Sequence, residues 1–103
     1  MKIKILSSAI EDLFSGRLFY EKQEEGLGEY FFDSLFSDID SLVLYAGIHA
    51  KFYGYHRMLS KRFPYAVYYR LKGEEVVVVH RVLDLRRDPQ KTKQALMSER
   101  AGR

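Results

Sequence analysis

A cluster of arginines close to the C-terminal end of the chain is the strongest chemical feature of this sequence. The stretch "RVLDLRRDP", Arg81–Pro89, directly follows the apolar run "EVVVVH". Guanidinium groups hold phosphate and carboxylate oxygens through charge-assisted hydrogen bonds, and they stabilise negative charge that develops on a phosphate during its reaction. The stretch is therefore either a solvated strand end or the basic part of an anion-binding site.

Cleavage of a phosphodiester in RNA also needs groups that move protons. Such acid–base help is worth about 10²–10⁴ in rate, and by residue type the candidates are His56, His80 and Asp84. His80 lies within a valine run, which favours a buried structural histidine, whereas Asp84 lies among arginines, which favours an ion pair. The histidines, His49 included, lack the spacing of a metal site, so we expect no metal and no cofactor.

Strand alternation decides which of these side chains can act together. In a regular strand over Glu75–Leu85, successive side chains point to opposite faces. One face is then expected to carry His80, Val82, Asp84 and Arg86. The other is expected to carry Arg81, Leu83, Leu85 and Arg87. The pairing register between strands does not follow from the sequence, so the set of converging cations stays open.

Five tyrosines lie among the basic residues of the second half. They are Tyr53, Tyr55, Tyr65, Tyr68 and Tyr69. Aromatic rings next to cations offer stacking surfaces for nucleobases, but a small sheet also uses such rings to fill its core. We favour the core interpretation.

Composition places the chain among globular domains. It has 103 residues, 47% of them hydrophobic, and no cysteine, so a disulfide framework and a thiolate zinc site are both excluded. The sequence carries no signal-peptide core or membrane-length apolar run, and we expect an intracellular, cytoplasmic protein. Residues 1–48 carry four Lys or Arg against nine Asp or Glu, whereas residues 49–103 carry thirteen against five. A basic second half fits an acidic or polyanionic partner.

Apolar periodicity predicts the order of elements. A short strand over Lys2–Leu6 precedes a helix that opens at Ser8, where Ser8 and Glu11 have the spacing of a capping box. A second helix runs from about Glu29 to Gly47. Three strands follow, over Tyr55–Lys61, Tyr65–Leu71 and Glu75–Leu85, and residues 89–103 form a polar tail or a short helix. We therefore predict one two-layer α+β domain of order β-α-α-β-β-β, with a helix hairpin on a mainly antiparallel sheet.

The stretch "KRFPYAVYYRLKGEEVVVVHRVLDLRRDP", Lys61–Pro89, resembles the signature hairpin of the RelE/ParE toxin superfamily. Its members include the plasmid-stabilisation proteins of bacterial toxin–antitoxin operons, and the resemblance extends over nearly the whole chain through length and element order. It implies a small toxin that is silenced by a cognate antitoxin, whose C-terminal segment wraps around it. The basic second half fits an acidic antitoxin segment.

The resemblance implies two modes of action. RelE-like members cut messenger RNA on the ribosome, whereas ParE-like members inhibit DNA gyrase and perform no chemistry of their own. Here Asp84 stands where the family pattern before Arg-Arg-Asp-Pro has a histidine, and residues 88–103 contain no tyrosine or histidine. These departures favour the ParE-like mode slightly over the RelE-like endoribonuclease. A non-toxic member that keeps only the antitoxin interface is the third alternative.

The resemblance also assigns roles to the basic residues. In the nuclease alternative, Lys61, Arg81 and Arg86 are the catalytic groups that stabilise the phosphate. In either alternative, the residues expected to bind the target or the antitoxin are Arg57, Arg62, Asp84 and Arg87.

Overall fold

The computed structural model describes residues 1–101, in which one strand precedes three helices, and four strands and a final helix follow. The elements are β1 Lys2–Ile5, α1 Ser7–Gln23, α2 Leu27–Asp40, α3 Leu42–Tyr45, β2 Lys51–Phe52, β3 Tyr55–Leu59, β4 Tyr65–Lys72, β5 Val76–Asp84 and α4 Pro89–Ala101. Five strands form one sheet in the order β1-β5-β4-β3-β2, in which β1 pairs with β5 in parallel and the other pairs are antiparallel. The predicted α+β class and the mainly antiparallel sheet are confirmed.

The main core lies between the α1–α2 hairpin and one face of the sheet. Apolar residues recur every three or four positions along both helices, so each helix presents an apolar stripe to the sheet. Leu13, Phe31 and Leu35 are fully buried there against Val77 and Val79 of β5. Burial of these stripes stabilises the helices, because a helix of this length is marginal in isolation.

The two helices of the hairpin approach closely at glycines. A Cβ atom on Gly28 would lie 2.5 Å from the backbone oxygen of Arg17, and one on Gly16 would lie 2.5 Å from the Phe31 ring. Only a residue without a side chain fits at these two positions. The turn between the helices is closed by the Glu21 carboxylate, which accepts hydrogen bonds from the backbone N–H groups of Gly26 and Gly28.

A second, smaller core forms on the opposite face of the sheet, under α4. Leu96 is fully buried there against Tyr55, Tyr68 and Leu83. The segment predicted as a polar tail or short helix is thus a helix of 13 residues, and the last two residues, 102 and 103, lie outside the described part. None of the helices in residues 1–101 combines the length and apolar character that a membrane span needs.

The capping-box prediction at the start of α1 is wrong. The helix begins at Ser7, one residue earlier, and its N-cap position is Leu6, which makes no side-chain cap. The Ser8 hydroxyl instead donates a hydrogen bond to the backbone carbonyl of His80, at 2.9 Å. A long-range bond between α1 and β5 therefore replaces the local one that the spacing suggested.

Candidate functional site

A β-bulge in β5 interrupts the alternation of side chains at His80 and Arg81. Tyr68 of β4 lies opposite Arg81, but the next residue, Tyr69, lies opposite Val79, so His80 is the extra residue. A bulge of this kind breaks strict alternation. The expected faces are therefore wrong at His80 and Arg81: His80 lies toward α4, whereas Arg81 lies with Val82 toward α1.

Arg81 is held in an ion pair with α1. Its Nε and Nη2 donate to the two carboxylate oxygens of Asp12, at 2.7 and 2.9 Å. The side chains are 21% and 14% exposed, respectively. This hydrogen-bonded partner raises the pKa of Arg81. Spacing along the chain does not indicate this pair, because Asp12 and Arg81 are 69 residues apart.

Arg86 pairs with Asp84 two residues before it. Its Nε and Nη2 donate to the Asp84 carboxylate at 3.0 and 2.9 Å, and Nη2 also donates to the hydroxyl of Tyr20 at 3.2 Å. The Arg86 hydrogen bond lowers the pKa of Asp84 against the opposing effect of its burial. Asp84 is thus an ionised ion-pair partner, as its position among arginines favoured.

These two ion pairs border a cleft of about 380 Å³ on the α1 side of β5. Its wall includes Gly16, Phe19 and Tyr65. Burial and the nearby Asp84 charge raise the pKa of Tyr65 to about 12. The phenol is therefore a neutral group at physiological pH. Asp12, Arg81 and Asp84 of the cleft are engaged in the ion pairs, whereas Arg87, which also lines it, belongs to neither pair.

A second cleft, of about 270 Å³, combines arginines with aromatic rings. Its lining residues are Phe52, Tyr53, Arg57, Tyr68, Leu85, Arg87, Pro89 and Thr92. The Arg57 guanidinium lies 3.8 Å from the centre of the Phe52 ring, a cation–π contact. Tyr53 has a φ of 54°, a left-handed conformation that is uncommon for a side chain of this size. We call this group the aromatic–basic cleft.

The five tyrosines divide between this cleft and the cores. Tyr53 is 42% exposed, whereas Tyr68 lines the cleft but is itself buried in the smaller core. Tyr55, Tyr65 and Tyr69 are buried, as the core interpretation expected. Phe52 is the aromatic residue of the cleft that sequence reasoning missed, although its position beside Tyr53 was the available signal.

Lys61 and Arg62 lie in the β3–β4 connection, which a buried acid positions. The Asp38 carboxylate accepts hydrogen bonds from the Ser60 hydroxyl at 2.6 Å and from the Lys61 backbone N–H at 3.4 Å. The Lys61 and Arg62 side chains are exposed. The end of β5 is tied to the same connection through a 2.8 Å backbone hydrogen bond from Leu85 to Pro64.

The histidines lie apart from the arginine pairs. His80 is buried 3.4 Å from Glu99 of α4, as the structural interpretation of this residue favoured. His49 and Tyr69 are hydrogen-bonded at 2.5 Å, and His56 contacts the His49 carbonyl and stacks on the Tyr69 ring. Burial lowers the pKa of His49. Over residues 1–101, no group of three or more acids and histidines is arranged to hold a metal ion.

Comparison with solved structures identifies the fold. A chain in the structure of a chromosomal ParDE TA system from P. aeruginosa superimposes with a TM-score of 0.69 and 18% sequence identity, over 82% of this chain and 96% of that one. No family model matches the sequence, and no curated protein matches it. The RelE/ParE-like fold predicted from the sequence is thereby confirmed.

Proposed function

We propose that this protein is the toxin of a bacterial type II toxin–antitoxin pair and that it acts in the cytoplasm. The main support is the fold, because most of this chain superimposes on most of a chain from a ParDE system. The conclusion gains support from the Lys61–Pro89 hairpin, which forms β4 and β5 and ends in the arginine cluster.

Within this proposal, ParE-like inhibition of DNA gyrase by binding alone is favoured. A nuclease needs a group that can exchange a proton next to its phosphate site. Asp84 is held ionised by Arg86, and a carboxylate with a lowered pKa is a weak base and a poor acid at neutral pH. His80 is packed beneath α4. The residues around the arginines thus suit a binding surface better than an acid–base site.

The antitoxin is proposed to bind this basic region through an acidic segment. Arg57 and Arg87 line the aromatic–basic cleft, and the exposed Arg62 follows β3. A charge-assisted hydrogen bond from each guanidinium to a partner carboxylate would contribute about 1.5–3 kcal/mol. The aromatic rings beside them would cover apolar side chains of the same segment.

The ParE-like proposal is tested with purified protein and gyrase. We expect supercoiling of a relaxed plasmid to be inhibited when the protein is added in about stoichiometric amount. An Arg87→Ala variant serves as the site control, because the change removes an exposed guanidinium and leaves both ion pairs intact. Supercoiling that continues unchanged at excess protein would exclude the gyrase target.

The RelE-like, ribosome-dependent endoribonuclease remains the second candidate because of one observation. The aromatic–basic cleft places the exposed Phe52 and Tyr53 rings beside Arg57 and Arg87, and neighbouring rings and cations are what single-stranded RNA needs. In this case Lys61, Arg81 and Arg86 remain the proposed phosphate-stabilising groups. The Arg86 side chain, 52% exposed, can still meet a phosphate, whereas Arg81 would have to share its guanidinium with Asp12.

Cleavage of ribosome-bound messenger RNA in a purified translation system tests this candidate. Loss of cutting in the Arg86→Ala variant would support it, and undiminished cutting after all three cations are replaced would remove the assignment. Normal growth of bacteria on overexpression would favour the third alternative, a non-toxic member that keeps only the antitoxin interface.

A further inference from the structure

The α1–α2 hairpin has an apolar face on the side away from the sheet. Ala9, Leu13 and Tyr20 face the core. At about 100° per residue, Leu18 projects from nearly the opposite side of α1. Leu18 is 59% exposed and Phe14, one helical turn before it, is 52% exposed. Single exposed apolar side chains are common, but neighbouring ones that form a patch often mark an interaction surface.

The α2 helix continues this surface. The Phe14 ring lies 5.4 Å from that of Phe32, and Phe32 lies 4.8 Å from Phe36. Phe32 and Phe36 are half-buried: one side of each packs against the main core, and the rest remains accessible. We define the outer helix face as the continuous strip formed by Phe14, Leu18, Phe32 and Phe36.

Acidic residues surround the outer helix face. Glu11, Glu29, Asp33 and Asp40 are exposed, and the helical spacing of about 100° per residue places them on this side of the two helices. Two exposed cations also lie there: Arg17, whose guanidinium is 5.1 Å from the centre of the Phe32 ring, and Lys22. The acids are in excess, whereas the candidate functional site on the sheet layer is basic.

We propose that the outer helix face is a second docking surface, which binds a basic amphipathic helix of a partner protein. Its apolar strip follows the seam between two helices, which is the shape that receives the apolar side of a third helix. Lysines or arginines flanking that apolar side would meet the acidic rim. The surface lies on the helix layer, so its occupation is compatible with a different partner on the sheet.

Charge argues against a symmetric pair of copies on this face. In a twofold dimer each acidic rim would meet the same rim of the other copy, and like charges in contact oppose association. The acidic outer helix face of one copy could instead bind the basic sheet layer of another copy. A measurement of the mass in solution would detect such an assembly.

The test uses two labelled synthetic helical peptides with the same leucine spacing, one carrying lysines and the other glutamates. Fluorescence anisotropy measures their binding to the full chain and to two variants. Leu18→Ser removes an apolar side chain of the outer helix face, and Ile48→Ser removes an even more exposed one, 73% accessible, outside it. We expect Leu18→Ser to weaken binding of the lysine peptide by about tenfold. Ile48→Ser should leave it unchanged, and the glutamate peptide should be indifferent to Leu18→Ser.

Three results would overturn the proposal. They are no binding of the lysine peptide, binding that Leu18→Ser leaves unchanged, and an equal loss in both variants. Sedimentation velocity tests whether the chain binds another copy of itself. Self-association of the unmodified chain that is lost in the Leu18→Ser variant would show that a second copy, and not a basic helix, occupies the outer helix face. Far-ultraviolet circular dichroism of both variants checks that the helices are retained.

Discussion

The Asp12 carboxylate on α1 accepts three hydrogen bonds from β5, two from the Arg81 guanidinium at 2.7 and 2.9 Å and one from the Val82 backbone N–H at 2.9 Å. The bulge at His80 makes this possible, because it turns two successive residues toward the same helix. Asp12 therefore fastens the helix layer to the sheet at the point where the candidate site begins.

Replacement of Arg81 by alanine should destabilise the fold. The change leaves the largely buried Asp12 carboxylate with only the Val82 N–H as a partner among these three donors, and we expect a loss of about 2 kcal/mol in the free energy of unfolding. Urea denaturation measures it. The Arg87→Ala control, at an exposed arginine, should change that free energy by less than about 0.5 kcal/mol. Equal small effects in both variants would show that Arg81 is free for another role.

The Asp84–Arg86 pair predicts part of the acid sensitivity of the protein. Arg86 lowers the pKa of Asp84 in the folded state. The pair therefore stabilises the fold fully above the unfolded-state pKa of Asp, about 3.9. This stabilisation is lost as the pH falls through the lower folded-state pKa. Asp84→Asn should therefore flatten the decline in urea midpoint below about pH 4. Asp33→Asn, at an exposed acid of α2, is the matched control. An Asp84→Asn curve parallel to that of the unmodified protein would contradict the linkage.

Tyr65 predicts the corresponding effect at alkaline pH. Its pKa is raised to about 12, chiefly by burial, so the neutral phenol is favoured in the folded state. Stability is then fully present below the unfolded-state pKa of about 10 and is lost as the pH rises toward the folded-state value. Tyr65→Phe should reduce this alkaline loss in urea titrations. The exposed Tyr45, replaced in the same way, should leave the curve unchanged, and a similar slope for both variants would argue against a special role of Tyr65.

Gly28→Ala should open the helix hairpin. Alanine normally favours a helix over glycine by about 1 kcal/mol, but here its Cβ would lie 2.5 Å from the Arg17 backbone oxygen. Backbone cannot move aside as a flexible side chain can, so we expect a net loss of about 2 kcal/mol. Thermal unfolding measures it, with Ser37→Ala on the exposed side of α2 as the control. A stabilised Gly28→Ala variant would mean that the helices can separate at no cost.

Local pattern was enough to predict most of the fold. The helix stripes around Leu13 and Leu35, and the strands ending near Lys72 and Asp84, follow from apolar periodicity, because each element buries one face. The β4–β5 hairpin follows from the turn at Gly73, whose φ of 66° suits glycine. The two-residue strand β2 was not predicted, since so short a run has no periodicity.

The candidate site was less predictable because it depends on contacts between distant residues. Alternation would have placed Arg81 with Leu83, and only the bulge moves it to Asp12. Nothing near Phe52 in the sequence shows that Arg57 lies over its ring. The Asp84–Arg86 pair, in contrast, was foreseeable, because its partners are two residues apart. Local pairs can be inferred from spacing, whereas those made by sheet register and layer packing need the structure.

The most direct test of the proposed function is to induce this protein in bacteria without a partner and to measure growth, plasmid supercoiling and transcript 5′ ends in the same cultures. We predict arrested growth with altered supercoiling and intact transcripts, which is the signature of gyrase inhibition. New 5′ ends within translated frames that disappear in an Arg86→Ala variant would contradict this account and make the protein a ribosome-dependent nuclease.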